Sequence, residues 1–247
     1  MKTNILATVL DHFKESDQFS HEEVKEFLVD GNPSITDNAV RKIIFRLKEK
    51  GLVTAIKRGV YTLKSKPEFI PETDQIIQNI FNIFKEKYPL IPCCMWSTQW
   101  LHQFMTFQPF QFFYVFETEK DILEPTFFYF KEQNLNVFLK PDRSLSEKYM
   151  ADSLEPIVIK LLNTRSPLVK GSEPPIATLE KLLVDIFCDR EIFFFYQGNE
   201  LINIFKNSFK AFHINQSVLL NYADRRKQKI KMIAFLKNQV EIPLLIL

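Results

Sequence analysis

Nine basic side chains and two acids fall between residues 35 and 66, a local charge of +7 in a chain whose formal total is +2. Residues 1–34 carry −4 and residues 67–247 carry −1, so the positive charge is concentrated in one short stretch. Such a cluster suits phosphate oxygens, because each cation that meets a phosphate releases a condensed counterion. Within it, Asn38 and Arg41 have the donor and acceptor sets that read adenine and guanine edges. Lys48 and Lys50 are better placed for phosphates, and Lys42, Arg46, Lys57, Arg58 and Tyr61 complete the candidate set. The alternative is a helix face that is basic only because it is solvated, as charge runs usually are.

Catalytic chemistry finds less support in the letters. A nucleotidyltransferase needs a Gly-Ser turn followed by paired acids on a strand, to hold a metal against triphosphate. Gly171-Ser172 is followed by Pro174-Pro175, and the nearest acid pair, Asp189 and Glu191, reads as a helix-to-strand junction. A restriction-like nuclease needs an acid two residues before a lysine; no Asp or Glu after residue 66 has one there. A serine or cysteine hydrolase would show a Gly-rich strand-turn-helix elbow, and none is present. Cys93, Cys94 and Cys188 are odd in number and lack metal-ligand spacing, so they read as buried thiols in a reducing compartment. His102 and His213 read as structural. The expectation is a non-enzyme with no metal and no cofactor.

Two further groups stand out. Glu180, Lys181 and Asp185 lie on an amphipathic segment, with the two acids about 140° apart around a helix, too far to chelate one metal together. Asp185 sits near a helix C-terminus, where an anion is disfavoured unless paired. Arg190 or the Arg225-Arg226 pair is its expected partner. Arg225, Arg226, Lys227, Lys229 and Lys231 form a second basic run, either a solvated face or a surface for nucleic acid or a partner.

The elements that would position these residues follow from spacing. Residues 1–16 have helical periodicity through Ile5, Val9, Leu10 and Phe13. Ser20-His21-Glu22-Glu23 is a capping box, opening a helix with Val24, Phe27 and Leu28 inward. Gly31-Asn32-Pro33 makes a turn, and Thr36 or Ser34 caps a helix with Ala39, Ile43, Ile44 and Leu47 inward. Asp37, Asn38, Arg41, Lys42 and Phe45 then face outward, and Gly51 stops the helix. Runs Leu52–Ile56 and Val60–Leu63 flank Lys57-Arg58-Gly59 as a hairpin. This order is that of a winged helix-turn-helix, whose later helix enters the major groove.

Ser65 to Pro71, with two prolines, reads as an extended linker. A helix over 73–88 follows, then strands over 93–96, 110–116, 135–139 and 156–162. Helices are expected after Ser97-Thr98 and over 120–132, residues 142–147 as a polar loop, then a helix over 177–187. Residues 192–196 are ambiguous, and helices over 199–209, 216–223 and 225–237 complete the chain. The fold class is therefore α+β: a winged helix-turn-helix domain over residues 1–68, then a mixed α/β domain over 69–247 with a helical tail. The 25 phenylalanines against 5 glycines supply ample core and few flexible loops. No run of about 18 uncharged apolar residues is present and the N-terminus lacks a signal peptide's apolar centre. A cytoplasmic protein without membrane contact is expected.

Four segments resemble the antitoxins of AbiE-type abortive-infection (type IV toxin–antitoxin) systems. They are Arg58-Gly59-Val60-Tyr61-Thr62-Leu63, Ser97-Thr98-Gln99-Trp100-Leu101, the helix Ala177–Asp185, and Leu220-Asn221-Tyr222-Ala223-Asp224-Arg225 with the helix after it. The resemblance implies an antitoxin that represses its own operon by binding double-stranded operator DNA, as a monomer or by cooperative pairing. It implies functional pairing with a nucleotidyltransferase toxin, often without a stable complex, and marks Glu180, Lys181 and Asp185 as a signature helix. The Phe-rich middle, Phe104 to Phe138, departs from that pattern. The alternatives are a diverged DNA-targeted nuclease or nucleotidyltransferase-like enzyme, and a stand-alone transcription factor that senses a ligand.

Overall fold

The computed structural model describes residues 5–242 except 51, 64, 65, 110, 146, 147, 149, 151 and 152. Gly51, the expected helix stop, therefore lies outside the described residues, as do Phe110 at the start of one expected strand and Glu147 at the end of the expected loop. The fold is mixed α+β, with one three-stranded and one four-stranded sheet. The chain divides into two compact units: Met1–Glu68 with Phe212–Ser217, and Phe69–Ala211 with Val218–Leu244. The linker residue Pro67 is tied within the first unit, its carbonyl accepting from the His213 N–H at 2.9 Å.

In the first unit, α1 (Ile5–His12) leads to β1 (Phe19–Ser20), α2 (His21–Gly31), α3 (Asp37–Glu49), β2 (Thr54–Lys57) and β3 (Val60–Thr62). Helix α2 starts at a full capping box: the Glu23 N–H donates to Ser20 Oγ at 3.1 Å and the Ser20 N–H to Glu23 Oε2 at 2.6 Å. Helix α3 starts at Thr36, whose Oγ1 accepts from the Ala39 N–H at 3.3 Å. Ser34 instead bonds to Asn32. Val9, Phe13, Phe19, Val24, Leu28, Val40, Ile43, Ile44, Leu47 and Val53 form the core. Val40 is fully buried, and Ala39, expected to point inward, is only half-buried.

Strand β1 has no counterpart among the elements expected from the sequence. It has two residues and pairs antiparallel with β3, Phe19 opposite Tyr61, giving the sheet order β1-β3-β2. Two residues carry no measurable period-2 signal. The β2–β3 hairpin pairs Ala55 with Tyr61 and Lys57 with Val60, with an irregularity between.

The second unit is built on β4 (Cys93–Ser97), β5 (Tyr114–Thr118), β6 (Val137–Leu139) and β7 (Ile157–Leu161), in the order β4-β5-β7-β6. β4 and β5 are antiparallel; β7 is parallel to both β5 and β6. The expected strand over 110–116 begins at Tyr114, and that over 135–139 at Val137. Helices α4 (Gln75–Lys87) and α5 (Leu123–Glu132) supply apolar side chains to one face, where Ile77, Ile80, Phe84, Phe116, Phe130 and Ile159 pack together. Pro125 fits α5 because it lies in the first turn, where its missing N–H has no intrahelical use. The polar loop after β6 contains a short helical turn, α6 (Arg143–Leu145). Helices α7 (Leu179–Cys188), α8 (Asn199–Ala211), α9 (Gln216–Arg225) and α10 (Lys229–Phe235) follow, and α10 runs on into a π-helical turn at Leu236–Val240. The ambiguous run at 192–196 is a 3-10 turn, Phe194–Tyr196, not a strand.

Side chains alternate across a strand, so Tyr114, Phe116, Ile157 and Ile159 take one face and Val115, Glu117, Val158 and Lys160 the other. Both faces are buried, which is why these strands read as continuous apolar runs. No helix among the described residues is long and apolar enough to cross a membrane.

Candidate functional site

Two groups of side chains are arranged in ways that packing alone does not explain, one in each unit. In the first unit, the apolar stripe of α3 faces the core, and Asn38, Arg41, Lys42, Phe45, Arg46, Lys48 and Lys50 are all exposed. Arg41 is held by Asp37 at 2.9 Å, one turn earlier, and its side chain is still 69% exposed. Asp37 also faces Lys25 of α2 at 3.7 Å, so this end of α3 is braced against its neighbour. At the hairpin tip Arg58 is exposed and Lys57 half-exposed. Gly59 has φ +78°, a conformation glycine adopts without a Cβ penalty. Tyr61 is set back from this surface: its ring lies 6.0 Å from Phe19, and burial raises its phenol above the ordinary value.

In the second unit, six charged groups meet beneath the sheet. Glu117 and Lys160 are register partners on β5 and β7 and point to the same face. Lys181 and Asp185 lie one turn apart on α7, so they meet both each other and the strand residues. The Lys181 amine, 0% exposed, donates to Glu117 Oε1 and Oε2 at 2.7 and 2.8 Å and to Asp185 Oδ2 at 2.5 Å. Trp96 Nε1–H donates to Glu117 Oε1 at 2.9 Å, and the Tyr222 hydroxyl to Asp185 Oδ1 at 2.9 Å. Arg226 forks between Asp185 Oδ1 and Asp189 Oδ1, reaching the latter at 2.5 Å. Lys160 Nζ lies 2.6 Å from Asp189 and 3.3 Å from Asp185. Three cations face three carboxylates, so the group is neutral as a whole.

The chemistry of this network follows from its pairing. Burial opposes charge on Lys181 and Lys160, but Asp185 and Glu117 outweigh it and hold both amines above the ordinary lysine value. Burial would raise the Asp185 carboxyl, but Lys160, Lys181 and Arg226 hold it well below the carboxylate range. Locked ammonium groups are poor nucleophiles and a locked carboxylate is a poor general acid. The arrangement positions β5, β7, α7 and α9 against one another.

A cavity of about 630 Å³ lies over the outer edge of this network, lined by Lys140, Asp142, Lys160, Asp189, Arg190 and Arg226. It sits beyond the carboxyl ends of β6 and β7, where open parallel sheets commonly bind ligands.

Asp185 has the predicted kind of partner, Arg226, and gains Lys181 and Lys160 besides. Arg190 is not that partner; its guanidinium lies 5.6 Å from the Phe187 ring centre. Arg226 does not belong to a second basic surface, because its side chain is 11% exposed and turned into the network. Arg225, Lys227 and Lys231 are exposed and Lys229 is half-buried, so that run does not form one continuous face. Glu180, in the first turn of α7, is half-buried.

Glu117, Lys160 and Asp189 went unread as a set. The signal available was Lys160 inside the apolar run 156–162 and Glu117 directly after the run 110–116, since a strand buried on both faces tolerates a charge only when it is paired. Gly171-Ser172 is a turn: Ser172 Oγ donates to the Val169 carbonyl at 3.0 Å and accepts from the Ile176 N–H at 3.2 Å. Burial pushes the Cys93 and Cys188 thiols up to about 11, which suppresses thiolate chemistry. Among the described residues, no group of three or more His, Cys, Asp or Glu is placed to hold a metal ion.

No curated protein matches the chain. Residues 39–242 match the family described as "Family of unknown function (DUF6577)". That span begins inside α3 and takes in the hairpin, the four-stranded sheet and every member of the buried network. Covering more than half of the sequence, the match shows that the chain belongs to this family.

Proposed function

We propose that the first unit is a winged helix-turn-helix that binds duplex DNA, and that the chain is a cytoplasmic transcriptional repressor of its own operon. The observation that carries this reading is the basic, exposed face of α3, opposite its apolar stripe, in the same unit as a hairpin tipped by Arg58. The order α1-β1-α2-α3-β2-β3 with sheet order β1-β3-β2 supports it, being the order of a winged helix. Asn38 and Arg41 read base edges from the N-terminal half of α3. Lys42, Arg46, Lys48, Lys57 and Arg58 hold phosphates.

An antitoxin role against a nucleotidyltransferase-type toxin rests on the resemblance of the four short segments. One of them, Ala177–Asp185, carries two residues of the buried network. The cavity over Lys160, Asp189 and Arg226 favours a second reading of that unit, a ligand-sensing domain on a transcription factor.

DNA binding by the full chain, titrated against salt, tests the main reading. The log–log slope is expected at about −0.9 per phosphate neutralised. Arg58→Ala weakens binding to every sequence alike, and Arg41→Ala relaxes preference at one base pair by roughly 1–3 kcal/mol. Salt-independent binding, or an Arg41→Ala/Arg58→Ala chain with wild-type affinity and preference, refutes it. Co-expression with a nucleotidyltransferase toxin, scored for growth, tests the antitoxin role.

A further inference from the structure

Phe45 is 59% exposed, the most exposed large apolar side chain among the described residues of the first unit. Its position is not incidental. At about 100° per residue it lies roughly 160° from Leu47, and Leu47 is fully buried. Phe45 therefore points directly away from the core, at the middle of the basic face. Asn38, Arg41 and Lys42 lie on the same stripe, seven, four and three residues earlier, and Arg46 and Lys48 flank it, all exposed. No ring stacking or cation–π contact joins Phe45 to another described residue.

An aromatic ring flanked by Arg41, Lys42, Arg46 and Lys48, with Glu49 the one acid on its stripe, fits a partner that is apolar at its centre and anionic around it. The DNA major groove offers that combination, because the thymine C5-methyl is apolar and phosphates line both rims. An acidic protein surface would need a preformed apolar socket as well. Resting on the DNA-binding reading above, we infer that Phe45 is a specificity-determining residue that packs on a thymine C5-methyl in the major groove. The hydrogen-bonding side chains Asn38 and Arg41 then read the base pairs on one side of that thymine. The geometry thus assigns two kinds of readout to one helix: polar edges toward its N-terminus and a methyl group one turn further on.

The test uses the full-length chain and a duplex selected from a random-sequence pool. Each thymine of the selected duplex is replaced in turn by uracil, which removes only the methyl group. At one thymine per bound copy the wild-type chain is expected to lose affinity about fourfold, the worth of burying one methyl carbon. Phe45→Ala should lose that discrimination while keeping the salt slope and the affinity for unrelated duplex. Phe45 is exposed and outside the apolar cluster of the first unit, so a thermal melt should show the variant folded as wild type.

Wild-type binding with no thymine-sensitive position overturns the inference and leaves the DNA-binding reading standing. So does discrimination that survives in Phe45→Ala. A variant that binds and discriminates as wild type but no longer represses in cells assigns Phe45 to a protein partner instead, and equally overturns it. Failure of the wild type to bind any duplex removes both readings.

Discussion

A buried ammonium group is costly unless its charge is matched, and the second unit buries two, Lys160 and Lys181, against Glu117, Asp185 and Asp189. Asp185 is the hub, touching Lys160, Lys181, Arg226 and the Tyr222 hydroxyl. Removing it leaves three cations facing two acids. Asp185→Ala is therefore expected to destabilise the second unit by about 3–5 kcal/mol, the usual cost of breaking a buried pair from one side. Lys181→Met should cost a similar amount alone. Combined with Glu117→Gln, which keeps an acceptor for Trp96, it should recover much of that loss, because a neutral pair replaces a charged one. Denaturant midpoints for the two singles and the double measure the coupling.

The same residue sets an acid limb. The unfolded Asp185 carboxyl titrates near ~4, and in the folded chain its pKa is held below that. Its stabilising contribution is thus complete above about pH 4 and drains away as the pH falls toward and through the folded value. Lys160 and Lys181 act in the opposite sense: their raised values make their contribution complete below about pH 10, and it is lost as the pH rises. Melting temperature against pH should show both limbs, and Asp185→Asn should flatten the acid one. An unchanged acid limb in that variant would place the acid sensitivity elsewhere.

At the scale of elements, the hairpin depends on one backbone angle. A Cβ placed on Gly59 would meet nothing within 4 Å, so space is not what restricts this position. Its φ of +78° is, since a left-handed conformation costs an L-residue roughly 1–2 kcal/mol, most for β-branched side chains. Gly59→Asn is expected to keep DNA affinity, because asparagine tolerates this region. Gly59→Val should shift the tip, moving Lys57 and Arg58 away from the phosphates they are proposed to hold, and weaken binding several-fold while the melt of the second unit stays unchanged. Equal affinity of the two variants would show that the tip does not touch DNA.

For the molecule as a whole, charge and core are divided between the units. Val9, Phe19, Val40 and Leu47 belong to one apolar cluster, and Ile80, Phe84, Phe116 and Ile159 to another. The exposed face of α3 is in the first, and the ion network is in the second. Loss of the network should therefore leave DNA affinity intact wherever the second unit stays folded. Asp185→Ala, titrated with duplex below its lowered midpoint, should bind as wild type, and any loss of toxin neutralisation should track the loss of stability. A variant that melts as wild type yet fails to protect would assign Asp185 a direct functional role.

Interactions within four residues in sequence were legible from the sequence alone. Ser20 and Glu23 name their capping box, Thr36 or Ser34 the start of the next helix, and Ile43, Ile44 and Leu47 their buried stripe, because helix geometry couples those positions without help from the rest of the chain. Gly59 marks its turn for the same reason. Asp185 could be flagged as needing a cation, since a carboxylate near a helix C-terminus opposes the dipole. The tertiary structure decided which cations answer. Glu117 and Lys181 are 64 residues apart, and Asp185 and Arg226 are 41 apart. Spacing along the chain is silent over such distances, because only β5 lying in register with β7, beneath α7, brings these charges within reach. That is why Arg226 reads both as a partner for Asp185 and as part of a basic surface, and why Lys181 is placed on its helix without a partner for its charge. It is also why β1, two residues long, became a strand only once β3 lay beside it.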